Sequence, residues 1–237
     1  MRSFLFVAPR EETFSAALAS GADALALDLG DPADPARESI RRQAVALIER
    51  PRPPGLGVYV LVPPLAGAAI DADLAAIVAA GADGVFLPQA CGGASVQHLS
   101  AKLAVAEAEC GRADGATRII ALATQTPAAI FALSTYGGAS SRLEALAFDT
   151  EPLRRALRAA PDGAATPLAT ARSLLLLGAA AAGVAAIDAP FADLADTAGL
   201  AAQCRAARRD GFAGKLALDP IQIPPINQTF AADAPAL

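Results

Sequence analysis

Tryptophan is absent from this chain of 237 residues, and histidine occurs once, at His98. One imidazole excludes any site that needs two, the helical zinc-protease pattern included. His98 itself falls inside a helical stretch and reads as a structural residue. No run of basic residues exists and the formal net charge is −5. A nucleic-acid partner held through phosphate contacts is therefore excluded. Cysteine is scarce: Cys91, Cys110 and Cys204 are odd in number and far apart. That fits reduced thiols better than a disulfide framework. No basic segment followed by an apolar run and a cleavage site is seen at the start, and the apolar stretch Leu174 to Val184 is too short to span a bilayer. A cytoplasmic protein with no membrane partner is expected.

What the chain does have is hydrophobic residues, 54%, against 18% charged. A chain of this length buries roughly 70% of its unfolded surface. Short apolar runs alternate with longer amphipathic ones. Strands are expected at Ser3–Ala8, Ala24–Leu29, Gly57–Val62, Gly84–Pro88, Arg118–Ala123, Leu143–Phe148, Ala185–Ala189 and Lys215–Leu218. Continuous apolar strands, buried on both faces, belong to parallel sheets. Helices are expected at Glu11–Ser20, Pro35–Glu49, Asp71–Ala80, Ser95–Glu109, Pro127–Ser134, Pro167–Ala182 and Thr197–Arg209, with Asp71, Ser95, Thr126 and Thr166 as N-caps. Pro51–Pro54 and Asp162–Ala165 read as surface loops. Eight β/α units imply an α/β fold, a single (β/α)8 TIM barrel over residues 1–237 with a short C-terminal tail. The competing open sheet lacks its Gly-rich phosphate loop, since Gly137-Gly138 follows a helix.

In such a barrel, chemistry sits on the loops after the strands. Those loops carry Arg10, Asp28, Asp31, Gln89, Gln125, Asp149, Glu151, Asp188 and Asp219. Converging carboxylates suit a hard divalent cation. The plainer reading is that they cap helices and pair with arginines. Arg10 can replace a missing cation and grip a carboxylate. Cys91, without a base beside it, reads as inert, and Lys215 reads as half of a structural ion pair.

Three segments, Arg2-Ser-Phe-Leu-Phe-Val7, Ala19-Ser-Gly-Ala-Asp-Ala-Leu-Ala-Leu-Asp-Leu29 and Asp210-Gly-Phe-Ala-Gly-Lys-Leu-Ala-Leu-Asp-Pro-Ile-Gln-Ile223, resemble the citrate lyase β-subunit branch of the HpcH/HpaI aldolase family. The resemblance covers nearly the whole chain. It implies a carbon–carbon lyase acting on an oxo-acid or acyl-CoA by aldol or Claisen cleavage, with Mg²⁺ as cofactor and a homotrimer or hexamer as assembly. The positions it assigns to chemistry have changed. Gln125 stands where a metal-binding Glu is expected, and Pro152 where the metal-binding Asp is expected. Tyr59 replaces a carboxylate-gripping Arg, Gln89 a Lys, Gly30 a Glu and Asp219 a His. Asp149 and Glu151 are the nearest substitute metal ligands. Arg10, Gln125 and Asp188 are the candidate catalytic residues, and Arg10, Tyr59, Gln89 and Asp28 the candidate substrate contacts. Losing two charged ligands argues against Mg²⁺, because even an outer-shell loss costs about 10–100-fold in affinity. The readings are thus a carbon–carbon lyase with an altered metal site, a non-catalytic barrel that serves as a binding or assembly partner, and a carboxylate-binding protein.

Overall fold

The structure, a computed structural model, describes residues 1–160 and 166–231. The loop expected at Asp162–Ala165 lies outside the described residues. Eight parallel strands close into one barrel in sequence order. They are β1 (Ser3–Val7), β2 (Ala24–Asp28), β3 (Gly57–Leu61), β4 (Gly84–Leu87), β5 (Arg118–Leu122), β6 (Leu143–Ala147), β7 (Ala185–Asp188) and β8 (Gly214–Ala217). Each lies within one residue of its expected bounds. β1 pairs with β8, and that pairing shuts the sheet.

The helices are α1 (Glu11–Leu18), α2 (Arg37–Ile48), α3 (Ile70–Ala79), α4 (Gly93–Cys110), α5 (Pro127–Phe131), α6 (Thr150–Leu157), α7 (Thr166–Ala182), α8 (Thr197–Asp210) and α9 (Ile223–Thr229). Helices α6 and α9 were not expected. Pro152 hides the first: it sits in the opening turn of α6, where no amide donor is needed. Pro224 and Pro225 hide the second in the same way. Thr126 caps α5 as expected, its side chain accepting from Ala129 N–H. Asp71 and Ser95 instead fall inside the first turns of α3 and α4. The Ser95 hydroxyl accepts from Cys91 N–H at 3.1 Å and so ties the loop before α4.

Strand alternation separates two cores. Leu5, Leu25, Val58, Val60, Val85, Leu87, Ile119 and Leu146 point outward beneath the helices. Phe4, Ala24, Ala26, Tyr59, Phe86, Ile120, Leu122, Ile187 and Leu216 fill the interior. Small alanines there leave room for three rings. Phe4, Tyr59 and Phe86 meet edge to face, with centroids 5.9–6.0 Å apart, a favoured aromatic geometry. A Cβ at Gly84 would lie 2.4 Å from the Tyr59 ring. That glycine exists so that the ring can lie flat against its strand.

Candidate active site

The mouth of the barrel holds a cavity of about 280 Å³. Asp28, Leu61, Gln89, Gln125, Thr126 and Pro152 line it, together with the prolines that follow β3 and β4. At its centre the Gln125 amide is held at both ends. Its Nε2 donates to Asp149 Oδ2 at 2.6 Å. Its Oε1 accepts from the Gln89 main-chain N–H, also at 2.6 Å. The Asp149 N–H in turn donates to Thr124 Oγ1 at 2.9 Å. Gln89 reaches this bond from a left-handed backbone, φ 53°, which for a residue with a side chain is a strained conformation found at functional sites.

Asp149 precedes α6 and is partly buried. Burial pushes its carboxyl above the ordinary range, and the Gln125 amide only partly offsets that. Asp149 also borders a second cavity of about 1010 Å³, which Phe148, Phe191 and Leu218 line with Arg154 and Arg172. The Gln125–Asp149 pair is thus a wall between two spaces.

Of the expected site residues, Asp28, Gln89 and Gln125 line the mouth, and Asp149 stands behind Gln125 on the second cavity. Asp28 accepts from Gly30 N–H at 2.8 Å and is otherwise open. Four others are placed elsewhere, and their assignments are corrected. Tyr59 faces the interior near the foot and donates to Glu144 at 2.7 Å. Burial and that carboxylate push its hydroxyl pKa upward, so it is no substrate grip. The β3 side chain that reaches the mouth is Leu61, one alternation further on. Asp188 faces outward, because its neighbour Ile187 faces in. It pairs with Lys215 at 2.9 Å and Arg172 at 2.8 Å and is only 2% exposed. Lys215 also donates to Ala189 O and Gln203 Oε1, so this pair is structural. Arg10 lies exposed in an outer groove between α1 and α2. Glu151 is gripped by Arg154 and Arg155, each at 2.7 Å, and these guanidiniums hold its carboxyl down at about 2.

Thr124 and Leu61 were missed by sequence reasoning. Alternation counted from the cavity, rather than from the strand start, would have found both. Among the described residues, no group of three or more His, Cys, Asp or Glu side chains is placed to hold a metal ion. Asp149 is bonded to an amide, Glu151 to two arginines, and Pro152 offers no donor.

A closed parallel barrel with a small polar mouth beyond its strand ends is the architecture of barrel enzymes. Within that class the chain belongs to the HpcH/HpaI aldolase/citrate lyase family, which it matches over residues 2–220. It is 31% identical over 211 residues to the citrate lyase subunit beta of Escherichia coli K12, covering 89% of this chain and 70% of that protein. It is 32% identical over 230 residues to a citrate lyase subunit beta-like protein of Mycobacterium tuberculosis, covering 94% and 76%. Among solved structures, RipC from Yersinia pestis superposes with a TM-score of 0.78 at 28% identity, over 99% of this chain and 96% of that one. The M. tuberculosis citrate lyase beta subunit complexed with oxaloacetate and magnesium gives 0.77 at 26%, over 97% and 96%.

Proposed function

We propose that this chain is a carbon–carbon lyase of the citrate lyase β type that works without a divalent cation, on an acyl thioester rather than a free oxo-acid. One observation carries the reading: the Gln125–Asp149 pair stands where the resemblance assigns a metal cradle, and no cation among the described residues lines the mouth cavity. A free dicarboxylate entering that cavity would meet Asp28 with no cation among the described lining residues to neutralise it. A thioester carbonyl is uncharged and accepts electrons without a metal.

Asp149 is the proton-handling group in this reading. Its raised pKa brings it closer to the working range of a general base. On a β-hydroxyacyl thioester it takes the hydroxyl proton. The carbon–carbon bond then breaks, and its electron pair passes to the thioester as an enolate. Asp149 returns the proton to the enolate carbon, leaving an acyl thioester and a new carbonyl compound. Gln125 fixes the carboxyl, and Gln89 fixes Gln125. Relatives solved with magnesium, acetoacetate and coenzyme A make coenzyme A the natural thiol to try. The three free cysteines are in keeping with a cytoplasmic enzyme, and a trimer or hexamer is the assembly to look for by light scattering.

The test is β-hydroxyacyl-CoA cleavage with EDTA, and again with added Mg²⁺. Turnover indifferent to EDTA is expected. Turnover that appears only with Mg²⁺, or calorimetric Mg²⁺ binding in the presence of oxaloacetate, overturns the reading. The second reading, a non-catalytic binding or assembly partner, is favoured by the engagement of both ends of the Gln125 amide, which leaves a single N–H of that group to meet a ligand. Thioester binding without cleavage would select it.

A further inference from the structure

At the foot of the barrel, far from the mouth, a groove between α8 and α9 gathers positive charge on a chain of net charge −5. The groove has a volume of about 650 Å³. Arg205, Arg208 and Arg209 line one wall, Gln228 and Thr229 the other, and among the described residues no carboxylate lines it. Arg205 and Arg209 are exposed and Arg208 is half-buried. Among the described residues Arg205 has no acidic partner. Arg209 only approaches Asp210, at 3.9 Å. Arg208 uses one nitrogen to donate to the Thr229 carbonyl, which aims its guanidinium across the groove.

Cations at a helix C-terminus offset the helix dipole. That accounts for Arg208 and Arg209, which sit in the last turn of α8. It does not account for Arg205, which lies one turn further back. The spacing i, i+3, i+4 sets all three on one face, with neighbouring Cβ atoms about 5–6 Å apart. A single carboxylate engages one guanidinium fork at a time, whereas successive phosphates reach several. Each fork pairs bidentately with phosphate oxygens, which an ammonium cannot do.

We propose that this groove is a binding site for a phosphate chain, of the diphosphate or triphosphate kind, separate from the mouth. The proposal is independent of the chemistry assigned above.

The experiment is calorimetric titration of the full chain with inorganic tripolyphosphate, in EDTA at low ionic strength. Saturable one-site binding is expected, weakened at least tenfold in the double variant Arg205→Ala/Arg209→Ala. Both residues are exposed, so the variant should keep the wild-type circular dichroism spectrum and melting point, and these are checked alongside. A parallel titration uses a nucleoside triphosphate. Equal affinity identifies the phosphate chain as the whole ligand, and tighter binding that is still lost in the double variant identifies a nucleotide. No saturable binding overturns the proposal. So does binding that the double variant retains, or equal binding of sulfate at matched ionic strength, which would mark an adventitious ion only.

Discussion

At the foot of the barrel, Glu107 of α4 is clasped by both terminal nitrogens of Arg142, at 2.7 Å each, and also accepts from the N–H groups of Gly115 and Thr117. Beside the mouth, Asp149 is met by neutral groups, the Gln125 amide and the Glu151 main-chain N–H, and stands in a wall between two cavities. Glu107 is fully buried and Asp149 partly so, yet they respond in opposite directions. Burial pushes Glu107 up, but Arg142 and the two amides outweigh it and hold the group at about 2. Nothing outweighs burial at Asp149, and its carboxyl rises. Arg2–Asp23 and Arg52–Asp83 add further ion pairs to the foot. The Glu107 charge is matched by a cation and the Asp149 carboxyl is not, although other carboxylates near the mouth, Glu151 and Asp73, are paired with arginines. A barrel whose foot carries stability and whose mouth carries chemistry has this division.

The comparison is tested most severely by Arg142→Ala. It leaves the Glu107 carboxylate buried without its cation, and a loss of about 3–5 kcal/mol in urea unfolding is expected. Thioester binding at the mouth should survive under folding conditions, and if it weakens in parallel the two ends are not separable. Next is Asp149→Asn. Its volume is almost unchanged, so stability should hold while thioester cleavage falls about 100-fold or more. Unchanged turnover would remove Asp149 from the chemistry.

The third prediction uses pH. Glu107 titrates below its ordinary value of 4.5, so its contribution is present above that value and lost as pH falls toward 2. Asp149 titrates above its ordinary value of 3.8. Its contribution is therefore complete below that value and lost as pH rises through the folded pKa. Urea midpoints between pH 2 and 7 should show Glu107→Gln flattening the acid limb. Asp149→Asn should gain on the wild type as pH rises. The reverse pattern would mean that the mouth carboxyl is charge-paired after all.

The smallest effect expected is that of Gln89→Gly. It relieves a left-handed backbone at φ 53° and should raise stability by about 1 kcal/mol. The N–H that donates to Gln125 is kept. A drop in thioester affinity despite that gain would assign the Gln89 side chain to ligand contact.

The strand bodies were legible because a strand buried on both faces must be apolar throughout, and Leu25–Leu27 or Ile119–Ile120 admit little else. Which face a residue takes was harder. Tyr59 was placed at the wrong end of the right face, because alternation gives the side of a strand but not its height in the barrel. Asp188 was assigned to the wrong side by one residue, and one residue is enough to invert direction. For Glu151 the plainer reading, pairing with arginines, was legible, since Arg154 and Arg155 stand three and four residues on; the outer groove that takes Arg10 was not. The Glu107–Arg142 clasp joins residues 35 apart in the chain, and no pattern of neighbours reveals it. The mouth was partly readable, since Gln89, Gln125 and Asp149 follow strand ends. Their hydrogen bonds to one another were not, because they depend on how β4, β5 and β6 are staggered.

The interlocked rings of Phe4, Tyr59 and Phe86 have a kinetic corollary. Among the described residues they stopper the bore. Whatever enters through the upper opening must leave by it, and a second molecule must wait until the first has gone. Traffic at this site is single-file, with exchange set by the width of one doorway.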